Sequence, residues 1–224
     1  MKYIQLITVI LVSFIFSSEN AEEYYFPVKE LTESKVYTYT CKEDPSKTQY
    51  WKLTYNPTDS TFVTEAFDSH FFQFEFFQEK RTDTGFQMEK FVTYIQRNKR
   101  GEPGKLVRKP IETAVYLWKT DKPYMYSSTM IDEDYGEILF QKKRTFADKE
   151  KLTVNSKTYD VLKFTDEYKT TLVSTKESFK FNQIIHYAKN IGMIRSEKNF
   201  EDGSSVILEL SNILSIDEWN TLKK

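Results

Sequence analysis

A period-two alternation of apolar and polar side chains, renewed after each short polar turn from residue 35 to residue 210, constrains this chain more than any other feature. Side chains that alternate in this way face opposite sides of an extended backbone, so the pattern calls for strands. It is clearest over residues 184–210, where a strand, an Asn190-Ile191-Gly192 corner, a second strand, an Asp202-Gly203 turn and a third strand follow one another. Runs at 35–41, 49–55 and 61–67 read as a meander, with a polar segment at 43–46 and an Asn56-Pro57-Thr58-Asp59 turn between them. Further strands are expected at 70–80, 86–96, 106–118, 124–130, 137–146, 152–154, 158–164 and 179–187, with breaks marked by Pro110 and Pro123. The 18 Phe and 15 Tyr suit strands, and with only six Gly and six Pro neither disorder nor a collagen-type repeat fits. The one clear helix start is Ser215-Ile216-Asp217-Glu218, a capping-box spacing that opens a short C-terminal helix through Trp219 and Leu222. The expected fold is mainly β: one antiparallel domain over residues 22–224.

Two details follow from the alternation. A two-residue turn at Asp202-Gly203 would mix polar and apolar side chains on both faces of the last hairpin. A three-residue loop, Glu201-Asp202-Gly203, pairs Phe200 with Ser204 and puts Ile194 and Phe200 on one face with Val206, Leu208 and Leu210, so this register is expected, with Gly203 left-handed. In the run 70–80, Phe72, Phe74 and Phe76 share a face, either as a core stripe or as the lining of a lipophilic cavity.

Residues 1–21 have a different character. Lys2 precedes a mostly apolar run at 4–16 and a short polar stretch ending in Ala21, the layout of a signal peptide, with cleavage expected after Ala21. Its thirteen apolar-run residues fall short of the ~20 that a spanning helix needs. No cysteine ends that run, so an acyl anchor is not expected there. Cys41 is the only cysteine, which excludes an intramolecular disulfide and suits a small buried strand residue. A net charge of −1 with Lys and Glu interspersed gives nucleic acid no footprint, and the basic loop at 97–103 reads as a solvated face.

Catalytic and metal motifs are missing from the sequence. There is no phosphate-binding glycine loop, no H-E-x-x-H, no paired cysteine and no nucleophile elbow, and the chain has only two histidines. Glu65, Asp68 and His70 would converge only if the strand bent there, so a turn is expected in place of a zinc site. Asp132-Glu133-Asp134 lacks the spacing of a calcium loop and reads as a surface turn. His186 is expected as a hydrogen-bonded sheet residue. An enzyme would need acids such as Asp160 or Asp166 to meet in a cleft. No catalytic residue, metal or cofactor is assigned, and the residues that would bind a ligand are unknown.

LTVNSKTYDVLKF (152–164) followed by IIHYAKNIGMIRSE (184–197) resembles a module of exported β proteins of Gram-negative envelopes, many of unknown function. Such families are similar to lipoprotein carriers and lipocalin-like proteins. The resemblance implies a curved antiparallel sheet, a half-barrel or open barrel, around a lipophilic interior. The resulting expectation is a non-enzymatic periplasmic or extracellular protein binding a lipophilic ligand or an acylated partner in the concave face. The alternative is a structural or interaction module of the cell envelope with no cavity. The expected partners are a lipid, an acylated protein or another envelope protein, and not nucleic acid.

Overall fold

The computed structural model describes residues 20–96 and 101–224. Apart from Asn20 and Ala21, the expected signal peptide 1–21 lies outside these residues, as do positions 97–100 of the basic loop. Twelve strands follow in chain order: β1 Lys35–Thr40, β2 Gln49–Asn56, β3 Thr61–Phe67, β4 Gln73–Thr82, β5 Gly85–Ile95, β6 Gly104–Leu117, β7 Tyr124–Asp132, β8 Gly136–Val154, β9 Lys157–Leu172, β10 Ser178–Ala188, β11 Gly192–Phe200 and β12 Ser205–Leu214. Each pairs antiparallel with the next, and β12 returns to β1, from Val36 opposite Leu214 to Thr40 opposite Glu209. The curved sheet therefore closes completely, where the family resemblance implied a half-barrel or open barrel. Alternation reports the face a side chain takes, whereas closure depends on tilt and stagger summed around the sheet, which no local run carries.

The turns follow their residues. Asn155 and Ser156 both take positive φ, 48° and 65°, giving the two-residue connection whose twist matches that of the flanking strands. At the last hairpin the Phe200 N–H donates to the Ser204 carbonyl at 2.9 Å and Asn199 lies opposite Ser205, so the three-residue loop forms as expected, with Gly203 at φ 82°. Ile194 does not share the face expected of it. The pairing jumps from His186 opposite Arg195 to Tyr187 opposite Met193, so Ile194 is the extra residue of a bulge. It packs with Val154, Val161 and Ala188, apart from the main core. The segments 137–146 and 152–154 prove to be one strand, the 19-residue β8, with an irregularity between Phe146 and Asp148. The tip of its hairpin reaches β12, where Asn155 Nδ2 donates to the Leu210 carbonyl at 2.9 Å.

The C-terminal helix α1, Ile216–Leu222, forms with both halves of its capping box. The Glu218 N–H donates to Ser215 Oγ at 3.3 Å, and the Ser215 N–H donates to Glu218 Oε2 at 2.7 Å. Its Trp219 seats against Tyr50, Phe67 and Phe71, with ring centroids 5.1, 5.4 and 5.4 Å away. Outward positions elsewhere carry cross-strand ion pairs, Lys52 with Glu65 at 2.7 Å and Lys143 with Glu167 at 3.3 Å.

The segment between Ala21 and Leu31 plugs one end of the barrel. Tyr25 and Phe26 touch rings from β1 (Tyr37), β3 (Phe62), β5 (Phe86), β6 (Tyr116) and β10 (Tyr187), a set of strands that meets only in the interior. Backbone bonds fasten the segment at both ends. The Ala21 N–H donates to the Trp118 carbonyl at 2.8 Å, and the Tyr55 N–H donates to the Leu31 carbonyl at 2.8 Å. Tyr116 adds a hydroxyl bond to the Ala21 carbonyl at 3.1 Å. Phe26 lies against the backbone of Gly192, where an added Cβ would come within 2.3 Å of the ring.

Candidate ligand cavity

Between this plug and the far end of the barrel lies a cavity of about 280 Å³. Its floor is Tyr25 and Phe26, and its apolar wall includes Trp51, Ile185, Met193 and Leu208. Charged groups are set among these rings and aliphatic chains. Along β8 the inward face runs Ile138, Phe140, Lys142, Arg144, so two cations stand in register with a hydrophobic stripe. On β4 the inward face is Glu75, Phe77, Glu79, and on β11 beyond the bulge it is Ser196 and Lys198. The aromatic stripe Phe72, Phe74 and Phe76, expected as either core or cavity lining, is therefore divided: Phe74 borders the cavity, whereas Phe76 lies under the Lys90 ammonium at 5.2 Å and Phe72 precedes the strand.

Nearest the plug the charges are paired. Arg144 grips Asp166 with two bonds, Nε to Oδ1 at 2.8 Å and Nη2 to Oδ2 at 2.7 Å, while its Nη1 donates to the Tyr187 hydroxyl at 3.2 Å. Lys142 Nζ is 2.8 Å from the same Asp166 Oδ2. Burial alone would raise the Asp166 carboxyl, but Arg144 and Lys142 outweigh it and hold the group below its ordinary value. Lys142 is pushed down to about 8 by burial and by the neighbouring Arg144. Glu79, only 2% exposed, has both oxygens near the Tyr25 hydroxyl, at 2.8 and 2.9 Å. Burial pushes it up to about 8 despite that hydrogen bond and the pull of Arg144 and Lys142, so it is mainly neutral at pH 7.

Farther from the plug the charges are not paired. The Arg108 guanidinium lies over Phe91 at 4.0 Å and Phe140 at 4.7 Å, and its Nε and Nη2 reach Thr93 Oγ1 at 3.3 and 3.1 Å. Its Nη1 is buried with no hydrogen-bond partner among the described residues. Lys198 lies over Phe181 at 5.8 Å. Burial lowers both cations, and Glu75 acts against that on each of them. Burial raises Glu75 itself, opposed first by Arg108 and then by Lys198 and Lys142.

The residues singled out in the sequence lie elsewhere. Asp68 accepts the N–H groups of His70 and Phe72 at 2.8 and 2.9 Å in a turn, and Glu65 points to Lys52, so the three side chains of that segment are not brought together. Asp132 closes the β7–β8 turn by accepting the N–H groups of Asp134 and Tyr135. His186 Nε2 stands 3.1 Å from Glu150 Oε1, as expected of a bonded sheet histidine. Asp160 is exposed near the tip of the β8–β9 hairpin and bound to Lys151 at 2.7 Å, while Asp166 is interior, so those two acids do not meet. Cys41 is buried, with Sγ 3.5 Å from Glu43. The groups that line the cavity, Arg108, Lys142, Arg144 and Lys198, were not recognised from sequence. Their signal is a basic residue recurring at period two within an apolar stripe, as in ILFQKKRTF.

The molecule is thus a closed antiparallel barrel, plugged at one end by its own N-terminal segment and holding an internal cavity studded with charges. No protein-family model and no curated protein matches the chain. Among solved structures, it is similar to an exported protein with a YmcC-like fold from Bacteroides fragilis, with a TM-score of 0.51 and 12% identity over 81% of this chain and 95% of that one. A lipoprotein from Parabacteroides distasonis aligns with a TM-score of 0.42 and 13% identity, over 84% of this chain and 95% of that one. The lipoprotein YmcC from Escherichia coli gives 0.38 and 6%, over 82% and 87%. The fold is YmcC-like, in keeping with the resemblance to exported envelope β proteins.

Proposed function

We propose that this is a non-enzymatic protein of the cell envelope, periplasmic or extracellular, that binds a lipophilic molecule or the acyl chain of a partner inside the barrel. The observation that carries this reading is the cavity itself, closed below by Tyr25 and Phe26 and walled by Trp51, Ile185, Met193 and Leu208. At about 280 Å³ it is close to the lower end of the range for small-molecule sites, so a compact ligand or a short stretch of chain fits it best. The exported nature of the Bacteroides fragilis protein with the same fold agrees with an envelope address. Two of the three interior acids are engaged in ways that favour binding over catalysis, Asp166 being tied to Arg144 and Lys142, and Glu79 to Tyr25. The alternative, an interaction module with a filled interior, has this cavity against it. Native mass spectrometry of the protein purified from its own envelope tests the reading. A bound lipid or acyl species is expected, and a mass equal to the bare chain from repeated gentle preparations would contradict it.

A further inference from the structure

The cavity as a whole is lined by more cationic than anionic groups. Four cations face the interior, Arg108, Lys142, Arg144 and Lys198, against three acids, Glu75, Glu79 and Asp166. Asp166 answers both Arg144 and Lys142 by direct contact, and Glu79 is engaged by Tyr25. Glu75 is then the one acid acting on both Arg108 and Lys198, and it makes a hydrogen bond to neither among the described residues. The Arg108 plane is held in place by the rings of Phe91 and Phe140 with one buried Nη1 donor unused, a costly state for a charged group unless an acceptor arrives. Both residues are part-buried, and neither is sealed into the fully buried core.

Resting on the reading of the cavity as a binding site, we propose that its ligand is an amphiphile with a single acidic headgroup, a carboxylate or phosphate. Arg108 and Lys198 hold the headgroup, and the apolar chain lies against Trp51, Ile185, Met193 and Leu208 above the plug. The guanidinium offers a fixed donor fork to a planar carboxylate or a phosphate, and the ammonium adds a mobile second charge.

Isothermal titration of the purified protein with ten-carbon amphiphiles below their micellar concentrations tests this. Decanoate and decyl phosphate are expected to bind at least ten times more tightly than decanol, and decyltrimethylammonium more weakly than decanol. Arg108→Gln and Lys198→Gln should each weaken decanoate about tenfold while leaving decanol unchanged, and Arg108→Lys should restore part of the loss. Acetate and inorganic phosphate should not bind detectably. Equal binding of all four amphiphiles would overturn the headgroup assignment yet leave the cavity reading standing. Failure of all four to bind would overturn both. Inorganic phosphate binding as tightly as decyl phosphate would show a simple anion site and overturn the amphiphile.

Discussion

Glu79 occupies the centre of the barrel, with Tyr25, Arg144 and Lys142 facing it and Tyr126 and Tyr187 close by. Its folded carboxyl holds a proton up to about pH 8, whereas the unfolded chain releases it near 4.5. Between those values the folded state binds more protons, so Glu79 makes stability fall as pH rises, by at most about 1.4 kcal/mol per pH unit. Lys142, pushed down to about 8, acts in the opposite sense above that value, because there the unfolded chain binds the extra proton. Glu79→Gln keeps an uncharged group in the same space. Urea unfolding from about pH 5 to about pH 8 should therefore show the wild type losing stability relative to Glu79→Gln as pH rises. A constant difference over that range would mean that Glu79 is ionised in the folded protein.

At the scale of elements, the strands were the most legible feature. The β3 limits, the Asn155-Ser156 turn, the loop at 201–203 and the capping box were all readable, because each depends on residues adjacent in sequence. The bulge at Ile194 was not, since it arises from the pairing of β11 with β10 and leaves no mark on β11's own alternation. The plug was also hidden: Glu-Glu-Tyr-Tyr-Phe lies ahead of the first alternating run, and nothing local shows that its rings pack inside the barrel. Its seat depends on Gly192, which combines φ 97° with contact to the Phe26 ring. Gly192→Ala is expected to cost at least about 2 kcal/mol in denaturant unfolding, from backbone strain and displacement of the ring. Gly192→Ala and Phe26→Ala should be less than additive, because the second change makes room for the first. A Gly192→Ala protein as stable as wild type would show that Phe26 does not pack there.

For the whole molecule, closure and the cavity belong to the sum of twelve strands, which explains why local periodicity gave strands, left curvature to the family resemblance, and could not tell a filled interior from a hollow one. The charges inside were equally illegible. Lys142 and Arg144 look like solvated strand residues in a sequence rich in Lys and Glu, and only closure turns their face inward. The closed barrel thus combines a stable aromatic plug with an interior half whose cations Arg108 and Lys198 lack direct acidic partners among the described residues. The most direct test of this account is a crystal structure of the protein with decanoate. The ligand should lie inside the barrel, with its carboxylate between Arg108 and Lys198 and its chain directed toward Tyr25 and Phe26. Decanoate found only on the outer wall, with the interior holding water alone, would contradict it.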